Sequence, residues 1–278
     1  MCVLSQGRRS HRSRWRGAFL AWQRRARLLG GHERATAIDS LAAGQLRVGT
    51  SPLPASLPTF SMPSAQAHSS SPIEIIAVSA VCFGLFILSS LATVARGWAQ
   101  QPRLDDVALV SLLATEAVLA ALALGILARR RYPMLRLRPS PTWADTGLGL
   151  GLAIAGYVAW WVTYLAIAPA NVSDQPISQM VDASHRSLGL VLLASVANGL
   201  YEEVFLLGYL MNAVRNLGAS AAIGLTCLVR LLYHLYQGPI GALSITVWGI
   251  VAGLFHWRTG RLWSVVVAHE LMDFAALV

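Results

Sequence analysis

Eight side chains that ionise stand inside stretches otherwise apolar enough to lie in lipid: Glu116, Glu202, Glu203, Arg230, His234, His269, Glu270 and Asp273. A charge near the middle of a membrane helix costs about 2.5–3.5 kcal/mol on insertion scales, so such residues mark functional sites unless a packed partner explains them. Seven of the eight crowd the C-terminal third of the chain. Their spacing is ordered. Arg230 and His234 are four apart, as are His269 and Asp273, so each pair shares one helix face. Glu202 and Glu203 are neighbours set about 100° apart, so one can face a reacting centre while the other supports it or meets a cation such as Arg230. Glu202, His234, His269 and Asp273 are therefore expected to converge from three helices on one polar cavity. Two imidazoles with carboxylates suit a zinc site that activates water or direct activation of water by a buried glutamate. Both chemistries are hydrolytic. Glu116 stands alone in its own stretch and reads as a protonated, hydrogen-bonded core group.

These residues need membrane helices to hold them. Of the 278 residues, 55% are hydrophobic and 13% charged, with a mean hydropathy of +0.54, whereas soluble domains carry about 25% charged residues. The predicted fold is all-α, a polytopic transmembrane bundle of about seven spans near 74–95, 104–128, 146–168, 187–214, 219–237, 240–257 and 261–278, each close to the ~20 residues a crossing requires. The net charge of +9 does not indicate nucleic acid. It is concentrated before residue 62, where Arg8, Arg9, Arg12, Arg14, Arg16, Arg24, Arg25, Arg27, Arg34 and Arg47 face only Glu33 and Asp39, and the chain has no lysine. Residues 1–70 read as a disordered, Arg-rich segment, similar to a transit peptide or lying ahead of a true start at Met62. Residues 71–278 form the transmembrane domain.

Arginine also predicts orientation. Arg129, Arg130, Arg131, Arg136 and Arg138, then Arg215, then Arg258 and Arg261 occupy alternate loops; Asp105, Asp106, Asp174 and Asp182 occupy the others. The N-terminus is accordingly expected in the cytoplasm and the C-terminus outside. Trp98, Trp143, Trp257 and Trp263 read as interface anchors, and Trp160 and Trp161 as residues packing between helices. The glycines of GLGLGLAIAG (147–156) read as close-packing positions, because no strand precedes them to make a nucleotide loop. Cys2, Cys82 and Cys227 have no disulfide or zinc spacing. The span boundaries leave one conflict: His234 falls about 5 Å from the outer end of its span and Glu202 about 20 Å from its own.

The stretches EEVFLLGYL (202–210), RLLYHLYQG (230–238) and VVAHELMDF (266–274), with GLFHWRTGRLW (253–263) before the last, resemble the CPBP family of intramembrane proteases. That family includes type II CAAX prenyl proteases and the Abi proteins linked to bacteriocin processing and immunity. The resemblance covers about residues 185–278. It implies an intramembrane endopeptidase, acting on membrane-associated peptides or proteins, in which Glu202 activates water and His234 is its partner or a metal ligand. His269 and Asp273 would bind metal or polarise the scissile carbonyl, and Zn2+ held by His234, His269 and Glu202 is the implied cofactor. Glu203 belongs to the same catalytic group. Leu207 stands where the family has arginine, and Arg230 where it has phenylalanine. Arg230 is therefore expected to replace the missing charge partner of Glu203. The alternatives are an inactive immunity or binding protein of the same fold and a small proton-coupled transporter. The size suggests a bacterial inner membrane, and no nucleic-acid partner is expected.

Overall fold

A computed structural model of the chain describes residues 70–98, 103–167, 176–182 and 186–278. The Arg-rich segment before residue 70, Asp174 and Cys2 lie outside them. Among the described residues the regular structure is entirely helical: α1 Pro72–Ala95, α2 Asp106–Arg129, α3 Trp143–Ile167, the short α4 Pro176–Asp182, α5 Leu188–Glu203, α6 Ala219–His234, α7 Pro239–Thr259 and α8 Leu262–Leu277. Six helical segments are long and apolar enough to cross a membrane, so the chain is an integral membrane protein. The seventh expected span is α8, whose 16 residues reach only about 24 Å.

Local signals explain the helix starts. Ser71 Oγ accepts from the Glu74 N–H at 3.2 Å, with Pro72 at the first helical position, and Asp105 Oδ1 accepts from the Ala108 N–H at 3.0 Å. Each removes one of the unpaired donors at a helix N-terminus. Gly218 and Gly238 adopt φ of +88° and +91°, backbone that disfavours any side chain. They make the sharp turns into α6 and α7.

Packing places α8 against α3 and α5, α7 against α3 and α6, and α1 against α2 and α6. The glycine-rich stretch contributes as expected at two positions. A Cβ on Gly149 would lie 2.8 Å from the Ser264 carbonyl oxygen, and one on Gly156 would lie 2.7 Å from Met272 Sδ. Gly147 and Gly151 face open space. Because the first obstruction is backbone, Gly149→Ala is expected to cost about 1–3 kcal/mol through forced separation of α3 and α8. A fall in the melting temperature of purified protein in detergent, absent for Gly151→Ala, would be the signature.

The tryptophans do more than float at interfaces. Trp143 is 93% exposed, as an anchor should be. By contrast, the Trp98 indole donates to the Leu235 carbonyl, Trp263 donates to Thr146 Oγ1, and Trp257 stacks under Arg215 at 4.3 Å. Trp161 is 39% exposed rather than packed between helices. Cys82 and Cys227 are free and buried.

Candidate active site

The Glu-Glu pair ends α5, and the chain continues as a π-helical stretch, Val204–Met211. The wider turn leaves carbonyls poorly placed, and Asn212 Nδ2 donates to that of Gly208 at 2.9 Å. Such π segments concentrate at functional sites. The turn at Arg215–Leu217 then returns the chain into α6. Glu202 and Arg230 stand equally far in sequence from Asn216, so the hairpin brings them to one depth. This removes the conflict over His234. Helix α6 does not reach the outer end of α5: it stops at His234, whereas α5 runs on to Leu188, about 15 Å further.

The space beyond the end of α6 is a cavity of about 580 Å³. Its polar end is formed by Asn198, Glu202, Tyr233, His234 and Asp273, and its apolar walls include Phe83, Phe86, Leu109, Trp160 and Met272.

Each polar side chain in and behind that end is held. Tyr233 Oη donates to Glu202 Oε2 at 2.5 Å. Arg230 Nη1 reaches the same oxygen at 3.4 Å, while Nη2 donates to Glu203 Oε1 at 2.7 Å. The expected Arg230–Glu203 ion pair is thus present, with Glu203 fully buried and Arg230 1% exposed. Arg230 fits because α7 offers a glycine: a Cβ on Gly249 would lie 3.2 Å from Arg230 Cδ. His269 Nδ1 contacts Glu203 Oε1 at 2.7 Å. A carboxylate can only accept, so Nδ1 carries the hydrogen. Its Nε2 faces Asp273 Oδ1 at 3.5 Å and Glu202 Oε2 at 3.9 Å. His234 Nδ1 lies 3.0 Å from the Arg230 carbonyl oxygen and must likewise donate. The neutral ring then keeps an accepting Nε2.

Glu202, His234 and Asp273 therefore line one cavity. Glu203 and His269 form the layer behind, with Arg230 as their cation. Leu207, in place of the family arginine, is an apolar core residue, 1% exposed.

Two polar residues escape a search confined to ionisable groups. Asn198 Nδ2 donates to Asp273 Oδ2 at 2.7 Å, and Tyr233 holds Glu202. Asn198 precedes Glu202 by one helical turn and Tyr233 adjoins His234, which is the signal that a list of all polar residues in the spans would have caught. Glu116 is the other correction. It is buried, but Oε2 has no hydrogen-bond partner and the residue lines the cavity; it is not a hydrogen-bonded core group. Glu270 is half-buried at the close approach of α5 and α8, where a Cβ on Gly199 would lie 2.9 Å from its Cγ.

Among the described residues no group of three His, Cys, Asp or Glu side chains has the arrangement to hold a metal. His269 Nδ1 is taken by Glu203 and Glu202 Oε2 is shared between Tyr233 and Arg230.

Residues 184–275 match the family model for type II CAAX prenyl endopeptidase Rce1-like proteins. No curated protein and no solved structure gives a significant match. The matched segment runs from the start of α5 almost to the end of α8 and contains every residue at the polar end of the cavity. Over residues 184–275, about a third of the chain, the protein is similar to the Rce1-like, CAAX-protease (CPBP) family of intramembrane endopeptidases.

Proposed function

We propose that this protein is a glutamate-dependent intramembrane endopeptidase that hydrolyses membrane-associated peptides or proteins in the cavity beyond α6. The observation that carries this reading is that Glu202 and His234 face one cavity while the atoms they do not need for catalysis are held by Tyr233, Arg230 and the Arg230 carbonyl. A water between Glu202 and His234 Nε2 meets two acceptors, one for each hydrogen. Glu202 takes a proton as the water oxygen bonds to the scissile carbonyl carbon. The second N–H of the Asn198 amide, not used by Asp273, donates to the oxygen that becomes negative. Glu202 then returns the proton to the departing nitrogen as the C–N bond breaks, and the second hydrogen of the water passes to His234 Nε2, leaving a new carboxylate and a new amine. Arg230, Glu203 and His269 are positioning residues: they fix the two carboxylates and exclude water from behind.

Zinc is the alternative source of an activated water; the lack, among the described residues, of any group of three His, Cys, Asp or Glu side chains placed to hold a metal favours the glutamate. Hydrolysis by purified protein is expected to survive prolonged treatment with EDTA or 1,10-phenanthroline. Loss of activity that Zn2+ restores would support the metal reading instead. Leu207 favours a second reading, an inactive binding or immunity protein; against it, Arg230 fills the charge that Leu207 lacks. We place the protein in a bacterial inner membrane with the arginine-rich loops cytoplasmic. The six apolar helices support a membrane placement, and the alternation of arginine between loops supports the orientation.

A further inference from the structure

Helix α6 ends at His234, and the chain turns through Leu235–Gln237 into α7. Such a turn frees backbone groups that a continuing helix would pair, and they need partners elsewhere. Two of them are met from the C-terminal end of α1, which packs against this turn. The Tyr236 N–H, which in a continued helix would reach the Leu232 carbonyl, donates to Ser90 Oγ at 2.9 Å. The Leu235 carbonyl, already bonded to the Gly238 N–H at 3.1 Å, also accepts from the Trp98 indole at 3.1 Å. Both partners are themselves fixed. Ser90 is 1% exposed. Trp98 lies three residues past the end of α1 at a φ of +57°, backbone that a bulky residue rarely adopts, and its N–H donates to the Thr93 carbonyl at 3.1 Å.

The clamped turn adjoins the polar end of the cavity. Tyr236 lines the cavity, and its ring centroid is 6.2 Å from that of His234, with the planes 18° apart. The Tyr233 ring, whose hydroxyl holds Glu202, is 4.4 Å from His234 and stacks on Phe83 of α1 at 5.3 Å. Because His234 directly precedes the two clamped residues, its ring moves with the turn. We infer that Ser90 and Trp98 are positioning residues for His234: by holding the turn that ends α6, they fix His234 Nε2 against the water that Glu202 activates. This inference rests on the protease reading above. It gives α1, which lies outside the matched residues 184–275, a part in the reaction.

Turnover of a cleaved peptide by the purified full chain, together with amide hydrogen exchange, tests this. Ser90→Ala and Trp98→Phe are each expected to lower kcat about two- to tenfold, the range of one lost neutral hydrogen bond, and to leave KM within about twofold. In a His234→Ala background, with no ring to position, the same substitutions should change kcat by less than about twofold. The Tyr236 amide should exchange about two- to tenfold faster in Ser90→Ala, while the rest of α6 keeps its protection. Equal falls in kcat with and without the His234 ring would overturn the inference by making both residues merely structural, and so would a raised KM at unchanged kcat. If His234→Ala leaves no turnover to compare, exchange decides. Wild-type protection of Tyr236 in Ser90→Ala would then overturn the inference, and faster exchange with the fall in kcat would uphold it. Wild-type turnover in His234→Ala would overturn it while leaving the protease standing. Absence of turnover by wild-type protein would overturn both readings.

Discussion

Replacing Glu202 by Gln is expected to lower hydrolysis by about 10²–10⁴-fold, the range that a positioned general base contributes, and to leave the protein folded. Gln keeps the shape of the side chain and still accepts from Tyr233 Oη, which lies 2.5 Å from the glutamate; it cannot take a proton from water. Glu202 lines the cavity rather than being sealed behind it, so the change leaves no orphaned charge in the core. Turnover of a cleaved peptide by purified protein, alongside its melting temperature, checks both halves of the expectation. Activity within about threefold of wild type would remove Glu202 from the reaction.

The neighbouring ion pair should behave in the opposite way. Arg230→Leu is expected to destabilise the protein by about 3–5 kcal/mol, because it leaves Glu203 fully buried without its cation. For a domain of this size that corresponds to a fall of about 6–20 °C in melting temperature. Glu203 would retain only His269 Nδ1, and Glu203 Oε2 has no partner even in the intact site. Glu203→Gln should be milder, since Glu202 remains beside Arg230 and Asp273 beside His269. If Arg230 supplies the charge that Leu207 does not, the exchange Arg230→Glu with Glu203→Arg should recover part of the stability lost in Arg230→Glu alone. Equal melting temperatures for the single and exchanged variants would show that the pair is not the unit that matters.

The sequence exposed the parts of this arrangement that follow from composition. Apolar runs reveal helices directly in lipid, because a membrane span has no other way to satisfy its backbone, and an ionisable residue within one is conspicuous. That is why Glu202, Glu203, Arg230, His234, His269 and Asp273 could be collected before any coordinates, and why Arg230 could be paired with Glu203. Depth was less legible. Bounds on a span do not give the depth of its ends: the outer end of 219–237 lies well inside that of 187–214, and the early end of α6 both unites His234 with Glu202 and opens the cavity. The π-helical stretch after Glu203 was not legible either, since VFLLGYLM reads as ordinary apolar helix. Asn198 and Tyr233 were passed over because an amide and a phenol carry no charge, although a buried carboxylate needs such neutral donors. Glu116 was misread for a related reason: spacing says that a carboxyl is alone in its span, but not whether a neighbouring helix brings it a partner or a cavity.

The central claim is that the chain cuts peptide bonds with water activated by Glu202. Its most direct test is a comparison of membrane-peptide termini in cells carrying wild-type protein, no protein, or Glu202→Gln at matched expression. The account predicts termini present only with wild type. Identical termini in all three, together with a phenotype of the deletion that Glu202→Gln rescues, would contradict it and leave a binding or immunity protein on the same fold.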